Sequence, residues 1–96
     1  MELYLLVIYD ISDDELRLKV ADFLKAQGLK RIQKSAFIGY VTPSTIRNIE
    51  AGLRRLIKGY SRVNIQLFTL TQTCYNSRII IGDLKYEEES EDIVLT

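Results

Sequence analysis

The sequence predicts an α+β domain with two helices packed on one face of an antiparallel sheet, and three observations predict it. Short strand-length apolar segments and two longer segments with apolar residues at helical spacing follow one another in the order β-α-β-β-α-β. The first segment, Leu3 to Tyr9, is apolar at odd and even positions alike, so a strand there is covered on both faces. The two helical segments each carry a single apolar stripe, so each has one face to bury and one to leave in water.

Taken in order, the first strand ends at Asp10. Ser12 then offers a helix N-cap, with Glu15 at capping-box spacing and Asp13, Asp14 and Glu15 suiting the positive end of the helix. Leu16, Val20, Phe23 and Leu24 form the stripe of a helix over about 13–27, and Gly28 is its stop. Strand-like runs follow at about 29–34 and 36–41. Thr42-Pro43 opens a second helix, since proline suits the first helical position. Ile46, Ile49, Leu53, Leu56 and Ile57 are its stripe and Gly59 its end. Val63, Ile65 and Leu67 alternate with Asn64 and Gln66 in a fourth strand that runs on through Leu70. Arg78 to Gly82 reads as a short fifth strand.

This order is the split βαβ, ferredoxin-like pattern, with the extra strand appended. Two helices cover one sheet face only. The expectation is therefore a homodimer with sheets facing each other, in which the fifth strand and the late apolar Ile93-Val94-Leu95 pair with an edge of the partner. The division expected is a domain over 1–82 and an acidic tail over 83–96. Net charge is zero, but residues 1–82 hold 12 Lys and Arg against 7 acids, a net of +5, while the tail is acidic. A basic body suits a polyanion, and the tail serves solubility, assembly or self-shielding. Leu3 to Ile8 follows no basic stretch and is too short to span a membrane. With a lone cysteine, Cys74, the expected compartment is the reducing cytoplasm.

The chain has no histidine. That excludes Ser-His and Cys-His catalysis and most zinc sites, leaving carboxylates, basic side chains and any metal they hold. Asp10 stands out because it ends the central strand where the chain leaves the sheet. One carboxylate makes a poor magnesium site, whereas two copies across a twofold axis could share an ion with waters and substrate phosphate. The ordinary alternative is a cap or an ion pair. Asp13 and Asp14 are explained by the first helical turn. Arg31, Gln33 and Ser35 at two-residue spacing predict a row of donors on one strand face, suited to a phosphate backbone. A charged edge strand explains them equally well.

Tyr9-Asp10 at the strand end, Arg17 in the next helix, Gly28-Leu29, and Arg31-Ile32-Gln33-Lys34-Ser35-Ala36-Phe37 together resemble the CRISPR-associated Cas2 family over nearly the whole chain. The resemblance implies a ferredoxin-like homodimer whose last strand joins the partner's sheet, working in CRISPR adaptation beside the Cas1 integrase. It further implies a Mg2+-dependent endonuclease on single-stranded RNA or duplex DNA, with Asp10 as the catalytic, metal-holding residue. Tyr9, Arg17, Arg31, Ser35 and Phe37 match positions that support that site or contact nucleic acid. Lys19 falls where some members carry a second arginine. A non-catalytic dimeric bridge that holds DNA for the Cas1 integrase is the alternative the resemblance leaves open.

Overall fold

The computed structural model describes residues 2–83. Strand β1 (Leu3–Ile11) is followed by α1 (Asp14–Ala26), β2 (Lys30–Gln33), β3 (Ala36–Val41), α2 (Pro43–Leu56), β4 (Val63–Leu70) and a short α3 (Gln72–Asn76). The four strands form one antiparallel sheet in the order β2-β3-β1-β4. This is the ferredoxin-like arrangement that the element order predicts.

β1 lies inside the sheet, paired with β3 on one side and β4 on the other, and its side chains alternate between the faces. Leu5, Val7, Tyr9 and Ile11 are buried under the helices with Leu16, Val20 and Leu24 of α1, Ile49 and Leu53 of α2, and Phe37 of β3. The intervening Tyr4, Leu6, Ile8 and Asp10 occupy the open face. Cross-strand partners share a face, so Ala36, Ile38 and Tyr40 of β3 and Asn64, Gln66, Phe68 and Leu70 of β4 join them there.

The helices begin where short polar side chains can bind the orphan backbone donors. Thr42 caps α2, with Pro43 inside the first turn, as the sequence predicts. The cap of α1 is Asp13 and not Ser12: its carboxylate accepts from the Leu16 N–H at 2.8 Å. The Ser12 N–H instead donates to Arg62 O at 3.4 Å, which keeps Ser12 with the end of the sheet. Gly28 stops α1 at φ +96°, a conformation that residues with a Cβ seldom adopt.

One expectation is corrected here. Arg31 pairs with Phe37, but Gln33 pairs with Ala36, and the register shifts between them. That irregularity at Ile32 breaks the two-residue alternation. Arg31 shares the helix-side row with Phe37 and Val7, while Gln33 shares the open-face row with Ala36 and Ile8. Arg31, Gln33 and Ser35 are therefore not a row of donors on one face. The fifth strand expected at Arg78–Gly82 is assigned to a partner's sheet edge, and within the single chain it forms no ladder. A strand needs a backbone partner, and this segment lies over the open face instead, where Ile79 to Ile81 close a cleft of about 220 Å³ above Ile32 and Ile38.

α3 is held against the same face by stacked rings. Tyr75 stacks on Tyr4 at 3.9 Å, Tyr4 meets Tyr40 at 4.7 Å, and the Arg78 guanidinium covers the outer side of Tyr75 at 3.8 Å. The open face is thus covered in part from within the chain. Ile79 and Ile81 remain 85% and 94% exposed. The expected pairing of Ile93-Val94-Leu95 and the acidic tail lie outside the described residues. No helix among those described is long and apolar enough to cross a membrane.

The two helices meet at Gly52, where a Cβ would lie 2.2 Å from Cζ of Phe23 and 2.7 Å from Cε1. Alanine is the better helix former by about 1 kcal/mol. Displacing a packed ring commonly costs more, about 1–3 kcal/mol. Gly52→Ala is therefore expected to lower stability by roughly 1 kcal/mol, a fall in Tm of about 4–8 °C in thermal unfolding. A higher Tm would show that Phe23 moves aside freely.

Candidate functional site

The strand end at Asp10 is where the site is built, and the alternation of β1 divides it. Asp10 is exposed on the open face beside its cross-strand partner Asn64. Tyr9 points the other way, 7% exposed in the core, with its ring 6.3 Å from that of Phe37. Phe37 is fully buried. It is a packing residue of the site and offers no surface on which a base could stack.

On the helix side, Tyr9, Asp14, Arg17, Leu18, Arg31, Lys34 and Ser35 line a cleft of about 300 Å³. Three cations in one small cleft suit phosphate oxygens. Arg31 lies over the Phe37 ring, its guanidinium carbon 5.1 Å from the centroid, and its buried Nε has no hydrogen-bond partner. A buried donor left unpaired costs about 1–3 kcal/mol. Ser35 O accepts from the Tyr9 N–H at 3.0 Å and ties the β2–β3 turn to the end of β1.

Arg17 has a different task. Its Nη1 donates to Ile11 O at 2.9 Å and to Ser12 O at 3.3 Å, and its Nη2 is paired with the Asp14 carboxylate. The guanidinium clips shut the turn that leads from the end of β1 at Ile11 into α1. Lys19 is exposed on α1 and does not line this cleft. The structure therefore brings Tyr9, Arg17, Arg31, Ser35 and Phe37 together, sets Asp10 on the opposite face, and leaves Lys19 apart.

Two residues that sequence reasoning missed lie at the same strand end. Asn64 faces Asp10 through the β1–β4 register, which no local pattern reveals. Arg62 is the one non-glycine among the described residues with positive φ, at +58°, and it opens onto a second cleft with Ser12, Asp13 and the 59–61 loop. Its sequence signal is its place in a polar loop just after Gly59.

Asp10 and Asn64 supply oxygen donors, the type that magnesium prefers. No group of three or more His, Cys, Asp or Glu able to hold a metal occurs among the described residues. The donors fit such an ion only when a second chain contributes its own pair.

Fold and strand end together define a small ferredoxin-like domain with a carboxylate on its open sheet face and a basic cleft behind it. The family model described as CRISPR associated protein Cas2 matches residues 1–78, and the chain belongs to that family. A CRISPR-associated endoribonuclease Cas2 of Pyrobaculum aerophilum is 41% identical over 80 residues, covering 83% of this chain and 87% of that protein. A Cas1/Cas2 endonuclease fusion of Thermoproteus tenax is 33% identical over 81 residues, covering 84% of this chain and 30% of the fusion. Among solved structures, the hypothetical protein TT1823 from Thermus thermophilus superposes with a TM-score of 0.74 at 25% identity, over 86% of this chain and 94% of that one.

The Arg17 clip makes a testable statement about the turn. A lysine offers a point charge and cannot reach two carbonyls and a carboxylate at once. Arg17→Lys is expected to destabilise the protein by about 1 kcal/mol, read as a Tm lower by roughly 4–8 °C, and Arg17→Ala by somewhat more. Unchanged melting in both variants would show that the clip contributes nothing to the turn.

Proposed function

We propose that this chain acts as a homodimeric, Mg2+-dependent endonuclease of CRISPR adaptation, with single-stranded RNA as its first substrate to test and Asp10 of both copies holding the metal. The observation that carries the reading is the placement of Asp10. It is an exposed carboxylate on the sheet face that the helices leave open, beside the half-buried Ile8, and the 42% exposed Phe68 lies further along the same face opposite Leu6. A second copy laid on that face would bury apolar surface and bring two Asp10 side chains toward one axis. The exposed Ile79 and Ile81 offer a strand-forming segment for the partner's sheet edge. The endoribonuclease name of the P. aerophilum relative supports the activity, and the fusion in T. tenax supports Cas1 as the partner.

In this reading Asp10 and its copy would hold the ion, with Asn64 alongside. A bound magnesium would supply an activated water and offset charge on the scissile phosphate. The chain's own residues do the rest. Arg31 and Lys34 bind the nucleic-acid backbone without reading bases, because phosphate contacts carry no sequence information. Arg17 fixes the turn after Asp10 and so orients the carboxylate. Tyr9 and Phe37 keep the strand end rigid.

One observation favours a second reading, the non-catalytic DNA bridge beside Cas1. The basic cleft lies on the helix side, so it can hold a phosphate backbone with no help from Asp10. The two readings part at one substitution. Asp10 is exposed, and its replacement by alanine is expected to leave the Tm nearly unchanged. In labelled single-stranded RNA assays, Asp10→Ala is expected to lower cleavage about a thousandfold or more, the scale of several kcal/mol of lost transition-state stabilisation. EDTA is expected to abolish cleavage by the wild type while binding persists. Cleavage that survives Asp10→Ala, or none in either protein, would leave the bridge.

A further inference from the structure

We infer that the loop before β4 forms a second phosphodiester-binding cleft, with Arg62 as its cation, on the opposite flank of the strand end from Arg31 and Lys34. The inference rests on the nucleic-acid reading above and adds to it a site outside the family-like motif. It begins with strain. Arg62 holds φ +58°, a left-handed conformation that favours glycine, asparagine or aspartate. An exposed loop with glycine available at Gly59 has no packing need for arginine in that conformation. Strain of this kind is retained where the side chain has a task.

The surroundings indicate the task. Ser12, Asp13, Gly59, Tyr60, Ser61 and Arg62 line an open cleft of about 440 Å³. Arg62 O accepts from the Ser12 N–H, so the loop is tied to the turn two residues beyond Asp10. The strand beginning at Val63 places Asn64 opposite Asp10. Hence Arg62 stands at the candidate centre although no sequence pattern links the two. Its guanidinium makes no ion pair or hydrogen bond among the described residues. Asp13, the other charge in the cleft, accepts from the Leu16 N–H within the helix and does not pair with it. The cleft therefore presents a guanidinium that has no partner among the described residues, two serines, the 38% exposed Tyr60 and the Asp13 carboxylate that caps α1. Guanidinium and hydroxyl groups bind phosphate oxygens, and an exposed ring beside them stacks an unpaired base. That combination fits a single-stranded nucleic acid.

With Arg31 and Lys34 beyond β1 on one flank and Arg62 on the other, a strand crossing the rim would be held on both sides of Asp10. The test uses a fluorescein-labelled single-stranded RNA and the full chain in EDTA, so that cleavage plays no part. Arg62→Gly removes the side chain and suits the positive φ, so its Tm is expected to equal or exceed that of the wild type. Its affinity is expected to fall about three- to tenfold, and the slope of log K against log salt to drop by about 0.7, one phosphate contact on a single strand. Arg62→Lys is expected to retain the slope.

Wild-type affinity and slope in a folded Arg62→Gly protein would overturn the inference. Should Arg62→Gly melt lower, Arg62→Gln keeps a long side chain and the backbone strain without the charge. An unchanged slope in that variant overturns the inference equally. Absence of RNA binding by the wild type would instead sink the nucleic-acid reading itself.

Discussion

The alternation of side chains along β1 is the constraint on which the rest depends. A strand that pairs on both sides has no choice of neighbours, so each residue goes either to the core or to the open face. Leu5, Val7, Tyr9 and Ile11 go to the core and nucleate it under α1 and α2. The same rule sends Asp10 outward. A shift of one residue would bury the carboxylate and expose Tyr9, so the apolar core specifies the position of the candidate catalytic group.

This division gives the chain two candidate functional surfaces that meet at one strand end. The helix-side cleft gathers cations around the buried Tyr9 and Phe37, where a rigid floor limits their movement. The open face carries Asp10 beside Ile8, Asn64 and Gln66, with Leu6, Ile38 and Phe68 further along it. The turn between them is held from three directions: by Arg17 on Ile11 O and Ser12 O, by Ser35 O on the Tyr9 N–H, and by Arg62 O on the Ser12 N–H. The strand end that places the carboxylate is thus tied by hydrogen bonds to the residues that line the basic cleft, although the two lie on opposite faces.

Much of this was legible in the residues. Both long helices and all four strands follow from apolar spacing, Pro43 and Gly28 mark a start and a stop, and Asp10 stands out as the carboxylate where the first strand leaves the sheet. What was not legible depends on pairing between distant segments. The Ile32 irregularity turns Gln33 away from Arg31, and hydrogen-bond register, not local spacing, decides that. Ser12 and Asp13 are both good caps, and the choice falls to Asp13 because the Ser12 N–H is committed to Arg62 O. Asn64 reaches Asp10 through the β1–β4 register alone. The isoleucine run at Ile79 to Ile81 has strand character, but within one chain no edge receives it. Nothing in the sequence around Arg62 announces a left-handed residue.

The central claim is that two chains, each contributing one outward Asp10, make one metal site. Titration of the purified protein with Mn2+, a paramagnetic stand-in for magnesium, followed by electron paramagnetic resonance, measures this directly. The account predicts one tightly bound ion per two chains, lost in Asp10→Asn. One ion per chain, or binding that survives Asp10→Asn, would contradict it.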